Sequence, residues 1–132
     1  MIQLKNYING EFLDPIQNEW LDNYNPSIGS VYGQTPNSSL KDVNLAYKAA
    51  KKAFVSWSQT SSEKRSAILL KIASLIEANL DRFAEAESKD NGKPISVAKT
   101  VDIPRAASNF RFFGHAITQF YSESYETKSE KT

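Results

Sequence analysis

The chain has 132 residues, with 16 Lys+Arg against 15 Asp+Glu, one His and no Cys. The missing cysteine excludes a thiol nucleophile, a disulfide framework and any Cys-ligated metal within these residues, and the lone His115 excludes a multi-histidine cluster. A net charge of +1 gives no reason to expect nucleic acid or an anionic membrane as a partner.

The opening third reads as β. Asn9-Gly10 stands between two short extended runs, Tyr7-Ile8 and Glu11-Phe12, and predicts a hairpin, because a type I′ turn needs positive φ at both central residues. A second extended run, Trp20–Tyr24, ends at the turn Asn25-Pro26-Ser27-Ile28-Gly29. A third, Val31–Thr35, ends at Pro36.

The remainder reads as α. Leu40, Val43, Tyr47, Ala50, Phe54 and Trp57 recur at spacings of three and four, forming one apolar helical stripe. Ser39 with Asp42 three residues on forms a capping box before it. Thr60 with Glu63 predicts the start of a second helix, with the stripe Ile68, Leu69, Ile72, Leu75 and Ile76. Asn79–Asp81 marks a break, after which Phe83 and Ala84 continue the pattern to about Lys89. Gly92 and Pro94 stop it. A last helix is expected to start near Asp102, with Pro104 in its first turn and Ile103, Ala106, Phe110, Phe113, Ile117 and Phe120 as its stripe. The aromatic residues 110, 112, 113, 120 and 121 read as core. Ser122–Thr132, with one aromatic and no aliphatic residue, reads as a polar tail.

Cheap routes to catalysis are few. The glycines at 10, 29, 33, 92 and 114 form neither G-x-G-x-x-G nor a P-loop. No carboxylate pair stands at a spacing that predicts a general acid–base couple. A hydrolytic site on His115 would need an orienting acid and an oxyanion pocket that no motif supplies. The longest strongly apolar run, Ala67–Leu70, is far too short to span a bilayer, and the first residues lack a signal-peptide pattern, so a cytoplasmic protein is expected.

Several motifs in order carry a resemblance. Tyr7-Ile8-Asn9-Gly10-Glu11, Tyr24-Asn25-Pro26-Ser27-Ile28-Gly29, Ala53-Phe54 with Trp57, and Glu87-Ser88-Lys89-Asp90-Asn91-Gly92-Lys93-Pro94 resemble the opening of the NAD(P)-dependent aldehyde dehydrogenases. Asp102-Ile103-Pro104-Arg105 followed by Asn109-Phe110-Arg111-Phe112-Phe113 is similar to the branch that oxidises 2-aminomuconate and 2-hydroxymuconate semialdehydes.

The resemblance implies an α/β family fold. Here it would comprise a β arm over residues 1–36 that joins oligomerisation. About four helices over 37–121 would pack on a parallel nucleotide-binding sheet. It implies aldehyde oxidation by a cysteine thiolate with NAD as the hydride acceptor. No residue of this sequence matches that cysteine, its glutamate base or the cofactor contacts, so the expectation is an N-terminal portion, inactive and without NAD by itself. Some apolar stripes would then face protein outside these residues. The alternative is a non-catalytic interaction or oligomerisation module that binds a second copy or a full-length homologue.

Two residues inherit candidate roles. Asp102 is implied as a ligand of a structural monovalent cation, with backbone carbonyls near the Asn25–Ile28 turn; read from the residues alone, it is a helix N-cap. Arg105 is implied as the grip on a substrate carboxylate, through two parallel hydrogen bonds; read alone, it is an exposed helix arginine. Arg111 reads as a structural pairing.

Overall fold

The computed structural model describes residues 2–119 and 121. Its strands are β1 (Ile2–Gln3), β2 (Asn6–Ile8), β3 (Glu11–Leu13), β4 (Trp20–Asn25) and β5 (Ser30–Pro36). Asn9 and Gly10 both take positive φ, at 55° and 87°, so β2 and β3 fold back with Ile8 opposite Glu11. The longer pair, β4 with β5, is antiparallel and shifts register between Asn23 and Tyr24. On the other edge of β5, β1 pairs in parallel.

The helices are α1 (Leu40–Trp57), α2 (Ser62–Ala78) and α3 (Leu80–Asn91), then a continuous helical rod. The rod runs through α4 (Ile95–Val97), a π-helical turn (Ala98–Asp102) and α5 (Ile103–Ala116). The expected capping box at Ser39 and Asp42 is present. That of the second helix is displaced by one residue: Ser61, not Thr60, caps α2 by accepting from the Lys64 amide. Asn79 leaves helical geometry between α2 and α3, and Gly92 ends α3 in the left-handed region at φ 76°.

The last helix starts seven residues earlier than expected, at Ile95 rather than Asp102. Pro104 is therefore interior to the rod. A proline lacks an amide hydrogen and presses its ring on the carbonyl four residues back, here Thr100. The widened turn immediately before it, where the Ile103 amide bonds the Ala98 carbonyl, absorbs that clash.

The interior is built from small residues. Ala73, Ala84, Ala98 and Ala107 are buried, together with Ile8 at the hairpin. The main helical seam joins α2 to α5 at Ser66, Ala73, Ala107 and Gly114. A Cβ on Gly114 would stand 3.0 Å from Leu70 Cδ2 and 3.3 Å from Leu69 Cβ, so the two helices approach because that residue is glycine. The buried stripes are thus rotated from those expected by spacing. Close approach at the small residues leaves the aromatics at the rim: Phe112 and Phe113 are 65% and 61% exposed, and Phe110 and Tyr121 are exposed too. Their reading as core is corrected. Phe120 and the expected tail Ser122–Thr132 lie outside the described residues.

Helix α1 stands apart. Its tie to the chain is Asp42, whose carboxylate accepts from the Ile16 amide at 2.9 Å and from the amide and hydroxyl of Ser39. Ala46, Ala49 and Ala53 border a shallow cleft against Tyr7, Ile8 and Asn9. Much of the expected apolar stripe is exposed, with Leu40 at 74% and Phe54 at 64% and Tyr47 beside them, while Val43 and Ala50 border the clefts to the hairpin and Trp57 faces the Arg65 guanidinium.

Candidate functional site

Lys93 and Asp102 meet close to where the end of α3 approaches the sheet. Gly92 fits against the β4–β5 turn, since a Cβ there would lie 3.1 Å from Pro26 Cβ. The turn closes on itself, with the Asn25 carbonyl accepting from the amides of Ile28 and Gly29 and its side chain from the amide of Ser27. The Ser88 hydroxyl donates to the Lys93 carbonyl at 2.6 Å and fixes the chain as it leaves α3.

Asp102 is not a helix cap. Its φ and ψ of −69° and −52° are helical, and its side chain makes no cap hydrogen bond, because the rod already began at Ile95. The carboxylate instead receives Lys93 Nζ at 2.8 Å, with Glu87 at 3.8 Å from the same ammonium. The hydrogen bond to Asp102 holds the Lys93 pKa above its ordinary value. Among the described residues, no three or more His, Asp or Glu side chains stand together as a metal site. Asp102 brings one carboxylate, and in this structure it carries the Lys93 ammonium.

The carboxylate that meets β4 beside the turn is Asp90. Tyr32 donates to Asp90 Oδ1 at 2.5 Å, and the Asn23 amide donates to the same oxygen at 2.8 Å and to Tyr32 Oη at 2.9 Å. Lys89 Nζ lies 4.9 Å from the centroid of the Tyr32 ring. Hydrogen bonding to the carboxylate pushes Tyr32 up to about 12 and holds Asp90 below its ordinary value. Spacing along the sequence pairs Asp90 with no second group. The irregularity between Asn23 and Tyr24, with Asn23 opposite Gly33 and Tyr24 opposite Val31, leaves Tyr32 beside Asn23.

Arg105 projects from the first turn of α5 and is exposed; among the described residues it forms no ion pair. Arg111, by contrast, pairs with Glu77 of α2 at 2.5 Å, the structural pairing expected of it. His115 is exposed on α5. The structure therefore brings Asp102 to Lys93, and does not bring Arg105 to either.

The helices α1 and α2 carry caps of their own at their N-termini. A pyrophosphate takes free amides at a helix N-terminus or a glycine-rich loop. Here the start of α1 is filled by Ser39 and Asp42, and that of α2 by Ser61.

Comparison with known proteins places this arrangement. The model of the aldehyde dehydrogenase family matches residues 12–132. The chain is 45% identical over 123 residues to 2-aminomuconic semialdehyde dehydrogenase of Homo sapiens, covering 93% of this chain and 25% of that protein. It is 49% identical over 114 residues to the Danio rerio protein of the same name, covering 86% and 23%. The structure of PnpE in complex with nicotinamide adenine dinucleotide superposes with a TM-score of 0.92 at 33% identity, over 97% of this chain and 26% of that one. The chain belongs to the aldehyde dehydrogenase family. It has the architecture of the N-terminal part of that fold, and it spans about a quarter of the length of the curated relatives it matches. No helix among the described residues is long and apolar enough to cross a membrane.

Proposed function

We propose that this chain supplies the N-terminal part of an NAD-dependent dehydrogenase that oxidises a carboxylate-bearing semialdehyde to the acid. The observation that carries the reading is the identity to 2-aminomuconic semialdehyde dehydrogenases across nearly the whole chain. With no cysteine in its sequence, the chain does not provide the thiolate, so its contribution is scaffold and substrate grip. Residues 1–36 act as the β arm and residues 37–121 as helices of the nucleotide-binding part. Homo-oligomerisation and a cytoplasmic location follow from the same reading.

Arg105 is the substrate residue in this proposal. An exposed guanidinium that forms no ion pair among the described residues is available to hold a planar carboxylate by two hydrogen bonds. Asp102 takes a monovalent cation only in exchange for Lys93, because both compete for one carboxylate. Calorimetry of the chain alone with NAD tests the division of labour: no binding heat is expected, and micromolar binding would overturn it.

A second reading, a non-catalytic module that binds other protein, is favoured by the outward apolar face of α1.

A further inference from the structure

Two Asn-Gly pairs stand in this sequence, Asn9-Gly10 and Asn91-Gly92. An asparagine before glycine is open to attack on its side chain by the next backbone nitrogen, because glycine carries no Cβ to obstruct the approach. The fold treats the two pairs differently. Asn91 is tied at both ends of its carboxamide: Nδ2 donates to Glu87 Oε1 at 2.5 Å, and Oδ1 accepts from the Lys93 amide at 2.9 Å. The nitrogen that would attack it, that of Gly92, donates to the Ser88 carbonyl at 3.0 Å.

Asn9 and Gly10 lack these ties. Both are exposed at the tip of the hairpin, and a Cβ on Gly10 would meet nothing within 4 Å. Among the described residues the Asn9 carboxamide makes no hydrogen bond and the Gly10 amide donates none, since the pair that closes the turn is Ile8 with Glu11. The turn has to open before the Gly10 nitrogen can swing onto Asn9 Cγ. That opening costs little here, because β2 and β3 form a two-stranded sheet with three residues in each strand. At Asn91 the same swing unwinds the end of α3 and parts Gly92 from Pro26.

We propose that Asn9 is a site of spontaneous deamidation in the folded chain, with water as the co-reactant, and that the fold protects Asn91. A base in the solvent takes the Gly10 amide proton. The nitrogen bonds to Asn9 Cγ, the Cγ–Nδ2 bond breaks, and ammonia leaves with a proton, giving a five-membered cyclic imide. Water then opens the imide at either carbonyl. Opening at Cγ leaves aspartate; opening at the backbone carbonyl leaves isoaspartate, with the chain running through the former side chain. No electrons are exchanged. Either product sets a new carboxylate close to that of Glu11 in sequence, and isoaspartate lengthens the backbone of the turn next to the buried Ile8.

The test holds the whole chain in mildly alkaline buffer and maps digests by mass spectrometry, which reads the conversion of amide to carboxyl at each site. A parallel sample in concentrated urea gives the unfolded rates, where both pairs should convert comparably. In the folded chain Asn91 should fall behind Asn9 by about tenfold or more, because its reaction forfeits the hydrogen bonds at its carboxamide and at the Gly92 amide. Conversion at Asn9 should quicken as pH rises. Glu87→Ala removes one tie and should speed Asn91 while leaving Asn9 unchanged. Two results overturn the site: conversion of Asn9 no faster than that of Asn91 in the folded chain, or conversion of Asn9 in urea alone. Equal acceleration of both sites in Glu87→Ala would overturn the local protection of Asn91.

Discussion

Lys93 Nζ lies 2.8 Å from Asp102 Oδ2, so an ammonium carried by the chain occupies the carboxylate that the family resemblance assigned to a monovalent cation. The pair joins the end of α3 to the π-helical turn. Lys93→Met should therefore increase the rise in Tm produced by K⁺ or Na⁺, measured against an equal concentration of a bulky organic cation. Asp102→Ala should abolish that rise. Identical salt responses in wild type and Lys93→Met would remove the exchange.

Arg105 gives a prediction on specificity. In an assembled dehydrogenase that carries this sequence, Arg105→Met should raise KM for a carboxylate-bearing semialdehyde by ~10–100-fold, the range expected for losing charge-assisted hydrogen bonds of about 1.5–3 kcal/mol. KM for a neutral aldehyde should stay put. Steady-state kinetics on the two substrates decides it, and an equal rise for both would assign Arg105 to structure.

Two glycines set close approaches. Gly92→Ala should cost about 1–2 kcal/mol, because φ of 76° is strained for a residue with a Cβ. The added atom would also meet Pro26. Gly114→Ala should cost about 1–3 kcal/mol through overpacking against Leu70 and Leu69. Each kcal/mol lowers Tm by roughly 3–4 °C in a domain of about this size. Thermal unfolding followed by circular dichroism measures both; an unchanged Tm for Gly114→Ala would show that α2 and α5 separate without penalty.

Stability should fall at both ends of the pH range, with the signs set by the hydrogen-bonded groups. Asp42 and Asp90 have native pKa values below the ordinary 3.8, so their contribution is full above 3.8 and is lost as pH falls through the depressed values. For Asp42 the first cause is the Ser39 side chain, followed by the Ile16 amide. Asp42→Asn should flatten the acid limb of a Tm-versus-pH curve. Tyr32 works in the opposite direction: its native value of about 12 lies above its ordinary 10.0, so its contribution is present below 10.0 and lost between the two. Tyr32→Phe should lower Tm near neutrality and remove the part of the alkaline fall that belongs to this network.

Local chemistry was legible in the residues themselves. Asn9-Gly10 forced a tight hairpin because both positions must take positive φ. Ser39 and Asp42 capped α1, Asn79 broke the helix, and Gly92 ended α3, each through backbone groups within a few residues. The family was legible too, through motifs spread along nearly the whole chain.

What the sequence did not determine was which side of each helix faced inward. Apolar periodicity favoured the large side chains, whereas the α2–α5 seam closed on Ser66, Ala73, Ala107 and Gly114, because small residues let backbones approach most closely. Asp102 read as a cap because Pro104 suggested a first turn; only the π-helical turn upstream allows proline inside the rod. The partnership of Asn23, Tyr32 and Asp90 spans 67 residues and exists only once β4, β5 and α3 are assembled. Spacing along a chain fixes local conformation, but the choice of face and of distant partner is made by packing, and here by how closely two backbones can meet.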